Sequence, residues 1–158
     1  MNYKELLDDP ALSAYFGKKK NKWIPEFQTI VDKSGISDCE LGDKDAEKKL
    51  FSKTKFSWLG FFLNIYWSAY HGSLYWLHAA VLWAILSSVN ILMFDMKLTT
   101  PLSLAFMFTY GMYGKSIMLA SKAREFNDIG CIASPSWGRV LIAMVLGFTP
   151  GIVSFYTF

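Results

Sequence analysis

Charge divides this chain into two unequal parts. The first 55 residues hold eleven lysines and ten acidic residues, whereas the following 103 hold eight charged side chains in all: Asp95, Lys97, Lys115, Lys122, Arg124, Glu125, Asp128 and Arg139. So long a segment with so few charges is too apolar for an ordinary soluble domain, and it predicts a small polar headpiece followed by an integral membrane region. The net charge of +3 is small, and acids offset the headpiece lysines locally, so no nucleic-acid binding is expected. Residues 1–20 contain no uninterrupted apolar core, and no cleavable signal peptide is expected. Cys39 and Cys131 lie too far apart in sequence to be assigned as a disulfide; both are read as reduced.

The headpiece reads as short helices. Asp8-Asp9-Pro10 supplies an acidic N-cap and a proline at a first helical position, and Gly17 closes that segment. Lys18-Lys19-Lys20 follows, complementing the carbonyl end of the helix. Asn21 is read as the next cap, with Pro25 tolerated in the first turn. Trp23, Phe27, Ile30 and Val31 then recur at helical spacing as one apolar stripe, ended by Ser34-Gly35. Residues 36–55 are polar. Their acids, Asp38, Glu40, Asp43 and Asp45, lack the glycine and terminal glutamate of a calcium loop and are read as a solvated linker or short helix.

Phe56 to His71 is a helix rich in aromatic residues. Ser57, Gly60, Asn64, Ser68 and His71 share a stripe about 80° wide at 100° per residue. Trp58, Phe61, Phe62, Trp67 and Tyr70 cover the rest, a composition suited to the boundary between headgroups and acyl chains. Three spans are expected beyond it, at about 74–94, 98–120 and 140–158, each near the length needed to cross ~30 Å of hydrocarbon. Counting the aromatic stretch as a fourth span would strand Lys122, Arg124 and Arg139 outside. The distribution of cations therefore favours three spans, with the N-terminus cytoplasmic and residues 56–71 in the interface.

The box Phe56-Ser57-Trp58, Phe61-Phe62, Trp67 and Tyr70 resembles the signature of a family of small bacterial membrane proteins, domain of unknown function twenty-six twenty-eight. Tyr15-Phe16-Gly17-Lys18, Trp23-Ile24 and Phe27, and the stretch from Gly114-Lys115 to Arg124, match that family more loosely. The chain departs from it at Ser57 for Asn, at Leu63-Asn64 for Gly-Pro, and at His71-Gly72 for Arg-Lys. The resemblance implies a bacterial inner-membrane protein with two or three hydrophobic helices after the box, and it implies no activity.

Candidate chemistry is sparse. His71 and His78 are seven apart, where metal-binding pairs on a helix usually sit three or four apart; no metal and no cofactor is expected. Asn64, Ser87, Ser88 and Asn90 fit a polar path, or hydrogen bonds between helices. Lys115 lies inside a hydrophobic segment and is read as snorkelling to the inner boundary. Gly147 and Gly151 form a GxxxG pair that admits close approach of another helix, from this chain or a second copy. With no nucleophile–base set and no phosphate-cradling loop, an enzyme is not expected. The sequence predicts an all-α membrane bundle that binds the bilayer and a protein partner or itself. The alternative is a small oligomeric transporter or channel subunit.

Overall fold

The computed structural model describes residues 1–52, 56–73, 75–94 and 98–157, and beyond Pro150 it describes a side chain only for Ile152. Lys53, Lys55, Leu74, Lys97 and Phe158, and the side chains around Gly151, lie outside the described residues. Every described element is helical.

Four helices make the headpiece: α1 (Tyr3–Asp8), α2 (Pro10–Phe16), α3 (Lys20–Ser34) and α4 (Lys44–Ser52), with a 3-10 turn at Gly17–Lys19 between α2 and α3. Asn2 and Glu5 close a reciprocal capping box on α1, satisfying two orphan amides at once. The Asp9 carboxylate accepts from Ala11 N–H at 2.7 Å, directly ahead of Pro10. Gly17 and Gly35 end α2 and α3 with positive φ. The cap expected at Asn21 is displaced, because the chain passes from the 3-10 turn straight into α3 and leaves Pro25 inside the helix.

The stripe of Trp23, Phe27, Ile30 and Val31 is buried, together with Tyr3, Leu6, Leu7, Leu12 and Leu50. This core does not close on itself. Met118, Leu119 and Ala123 belong to it, and they come from α7 (Thr99–Ile129), the helix expected to end near residue 120. It continues because its second half is the remaining wall of the headpiece. From Tyr110 to Ala123 most residues of α7 are buried, with Met112 exposed, whereas Thr99 to Thr109 is largely exposed.

Two ion pairs bolt that wall in place. Lys115 Nζ lies 2.9 Å from Glu26 Oε2 of α3, and Arg124 grips the Glu47 carboxylate of α4 with two donors. Lys115 is 7% exposed. It does not snorkel to solvent, because a carboxylate from the headpiece reaches it first.

The aromatic helix α5 (Trp58–His71) packs chiefly on α7. Small residues set the spacing: a Cβ on Gly60 would stand 2.4 Å from the Tyr110 carbonyl oxygen, and one on Gly114 would stand 3.1 Å from the Trp67 ring. Ser57 N–H donates to the Gly111 carbonyl at 2.7 Å, and the Ser68 hydroxyl bonds those of Ser73 and Tyr110. Most of the polar stripe on α5 therefore faces α7; of its members, only His71 reaches the headpiece. At Asn64 α5 kinks, with φ 32° and ψ −113°.

Gly72 ends α5 in the left-handed conformation, and α6 (Trp76–Phe94) runs back beside α8 (Trp137–Thr157). Among the described residues, α6 is the one helix long and apolar enough to cross a membrane; Trp137–Pro150 is apolar but shorter. The fold is all-helical, as the sequence predicts.

Candidate functional site

Where α5, α8 and the headpiece converge, they enclose a groove of about 760 Å³. One wall is a face of α5, with Leu59, Leu63, Tyr66 and Tyr70 at i, i+4, i+7 and i+11. The facing wall is α8, with Trp137, Val140 and Met144 at i, i+3 and i+7. These are the spacings that hold side chains on one side of a helix. The headpiece closes the end with Tyr15, Phe16 and Trp23, and with the lysines Lys18, Lys19 and Lys22 at the rim. Among the described residues, no acidic side chain lines the groove.

A polar node fixes the corner where these elements meet. Tyr15 Oη lies 2.7 Å from His71 Nδ1 and donates to the His71 carbonyl at 3.2 Å. A single phenolic proton satisfies both contacts only if the imidazole donates through Nδ1 and Tyr15 donates to the carbonyl. Lys122, fully buried, bonds Glu125 at 2.7 Å and the Ala133 carbonyl at 3.3 Å, and its ammonium lies 4.7 Å from the centre of the Tyr15 ring. Glu125 in turn accepts from Ala133 N–H at 3.0 Å. Residues 130–136 are thereby pinned to α7, and Ser136 N–H reaches the Tyr70 carbonyl at 3.0 Å, which sets where α8 begins.

The electrostatics follow from this geometry. Burial, together with the charges of Lys122, Lys19 and Arg139, lowers the His71 pKa from its usual value to about 4. His71 is thus neutral at physiological pH. Burial lowers the Lys122 pKa, and the hydrogen bond to Glu125 offsets part of that effect.

The structure separates the residues that the sequence singled out. Trp58 and Phe62 are exposed, while Phe61 is half-buried and meets Phe108 edge-on. Trp67, expected at the membrane boundary, is 4% exposed and packs in the core shared by the headpiece and α7. Tyr70 and His71 line the groove. Asn64 borders a second cavity of about 260 Å³ among α5, α6, α7 and α8, which Tyr66, Ser103 and Gly147 also line.

Two polar side chains of α6 are committed to the backbone and loop. Ser88 donates to its own Ala84 carbonyl at 2.8 Å, and Asn90 holds Thr99 and the Leu98 amide at 2.9 and 3.0 Å. His78 is exposed on α6. Gly147 takes the Tyr66 hydroxyl, 3.0 Å from where its Cβ would stand, so close approach at this glycine occurs within the chain.

Sequence reasoning missed the groove as a unit. It read Lys19 only as a helix-end complement, gave Tyr15 and Lys18 a place only in the loose family pattern and the headpiece, and gave Trp137 no role. The available signal was the helical spacing of Trp137, Val140 and Met144, which line the same groove as Leu59 and Leu63.

No protein-family model, curated protein or solved structure matches the chain.

Proposed function

We propose that this chain is a multi-pass membrane protein that binds a ligand or partner without catalysing a reaction, and that the groove is its binding site. The observation that carries this is the contrast between its two ends. The headpiece buries its apolar residues, while α5, α6, α8 and the first half of α7 expose theirs side by side: Trp58 and Phe62, Leu82 and Ile85, Leu104 and Phe108, Leu141 and Val145. Soluble monomers rarely leave so extended an apolar face uncovered. Lipid covers it in this proposal.

The ion pairs support a return of the chain to the headpiece side along α7, whose exposed half, Thr99–Thr109, is about 17 Å long. Lys115 and Arg124 touch headpiece residues, so the second half of α7 lies on the headpiece side. If α6 leaves that side, the first half of α7 returns to it and α8 leaves again. At ~1.5 Å per residue, α6 and α8 are about 28 and 31 Å long, against ~30 Å of hydrocarbon. The short, kinked α5 then lies obliquely at the headpiece-side boundary. The N-terminus is cytoplasmic in this topology, and the inner membrane of a bacterium fits the resemblance of the aromatic box. The kink at Asn64 falls where that family's pattern carries Gly-Pro.

The cavity at Asn64 favours a second reading, a small transporter or channel subunit working as an oligomer. It requires self-association, which sizing in detergent would reveal. For the leading proposal, membranes from cells expressing the full chain are washed with alkaline carbonate. Retention in the pellet is expected, and release into the supernatant would contradict membrane integration.

A further inference from the structure

The groove has two chemically different ends. At one, Lys18, Lys19 and Lys22 are exposed and have no acidic partner among the described residues, whereas Lys48, Lys115, Lys122 and Arg124 each have a carboxylate. At the other, Leu59, Leu63 and Met144 line the groove and also belong to the exposed apolar face of the helices. The groove therefore opens sideways onto the surface assigned to lipid. Trp23, Trp67, Tyr70 and Trp137 also line the groove, aromatic groups of the kind that settle at headgroup depth. The Trp67 indole N–H, buried with no hydrogen-bond partner among the described residues, is a spare donor in this belt.

A soluble anion would use the lysines and leave the apolar walls wet. A neutral lipid would fill the walls and leave three cations uncompensated beside an acid-free lining. An amphipathic anion satisfies both ends. Burial is the main cause of the depressed His71 pKa, and the charges of Lys122, Lys19 and Arg139 add to it, in keeping with positive potential at this corner.

We propose that the groove binds one anionic phospholipid of the headpiece-side leaflet, with its phosphate among Lys18, Lys19 and Lys22 and an acyl chain between Leu59, Leu63 and Met144. The volume lies within the range of about 300–1,000 Å³ common for small-ligand sites, enough for the headgroup region with the chains trailing into the bilayer. This rests on the membrane placement proposed above. A bound lipid would add a link from the headpiece to α5 and α8, beside the contacts of Tyr15 and Trp23 with His71, so occupancy would stiffen the headpiece against the helices.

The test uses the full chain purified in a neutral detergent. It is titrated with phosphatidylglycerol, with phosphatidylcholine of the same acyl chains, and with glycerol phosphate, reading the melting temperature and the adducts retained in native mass spectra. Phosphatidylglycerol is expected to raise the melting temperature and persist as a single adduct; the other two are not. The triple variant Lys18→Gln, Lys19→Gln, Lys22→Gln should bind it about 100-fold more weakly, at roughly fivefold per lysine, with an unchanged melting temperature in lipid-free detergent. The control variant Lys44→Gln, Lys48→Gln, Lys49→Gln on α4 should retain binding.

Equal effects of the two phospholipids, or unchanged affinity in the groove variant, would overturn the proposal. Stabilisation by glycerol phosphate alone would replace it with a soluble-anion site. Failure of membrane integration is read separately, by the carbonate wash.

Discussion

Removing the carboxylate of Glu26 should loosen the headpiece from α7, and a double-mutant cycle with Lys115 gives the size of the effect. The pair is 2.9 Å apart, with side chains 9% and 17% exposed, and the ammonium also lies 5.8 Å from the centre of the Trp23 ring. Breaking a buried pair by deleting one partner typically costs ~3–5 kcal/mol, because the surviving charge is left uncompensated. Glu26 is slightly more open than Lys115, so Glu26→Gln should fall near the lower figure, about 3 kcal/mol. For a chain of this length that corresponds to a fall in melting temperature of about 6–12 °C. Lys115→Met leaves no buried cation and fills the same space beside Trp23, so it should cost less. Combined, the two changes should cost well under their sum, with a coupling of about 2 kcal/mol. Thermal melts of the four proteins in one detergent give the cycle, and hydrogen exchange over residues 22–33 reports whether α3 is the part that loosens. Additive effects within ~0.5 kcal/mol would mean that the two groups do not interact, and the bolt between headpiece and helix would not exist.

Gly60→Ala places a methyl group 2.4 Å from the Tyr110 carbonyl oxygen, about an ångström inside normal contact; overpacking of this kind costs ~1–3 kcal/mol. Melting should fall accordingly, and an unchanged or raised melting temperature would show that α5 and α7 are not this close. His71 is neutral in the fold, with a pKa of about 4 against a usual 6.5. The unfolded chain therefore takes up a proton first, and stability is complete above about pH 6.5 and declines as pH falls toward 4. With partial exposure discounted, wild type should lose about 1–2 kcal/mol more than His71→Gln by about pH 5. Parallel stability–pH curves for the two proteins would refute the assignment.

Local chemistry was well marked in the sequence. Asp9-Pro10, Gly17 and Gly35 bound the helices they were expected to bound, because a cap or a left-handed turn depends on residues a few positions away. The apolar stripe on α3 was equally legible, since helical periodicity is a local property. What periodicity cannot carry is the partner of each stripe. Met118, Leu119 and Ala123 look like the end of a hydrophobic segment, and only the tertiary fold makes them a wall of the headpiece. Lys115 looked isolated for the same reason: its carboxylate is 89 positions earlier, on another helix. Trp67 satisfies the composition of a membrane boundary as well as that of a core, and burial decides between them. The groove escaped notice because its walls come from three separate stretches, none distinctive alone.

The placement of the headpiece on one side of a membrane and the α6–α7 connection on the other is tested most directly by thiol labelling. Single cysteines at positions 45, 100 and 128, in a background lacking Cys39 and Cys131, are exposed in intact cells to an impermeant reagent. Positions 45 and 128 lie on exposed parts of the headpiece side, at α4 and the end of α7, and position 100 lies on the exposed start of α7. The account predicts labelling at 100 alone, with 45 and 128 labelled only after the cells are opened. Labelling at 128 without labelling at 100, or at 45 and 100 together, would contradict it.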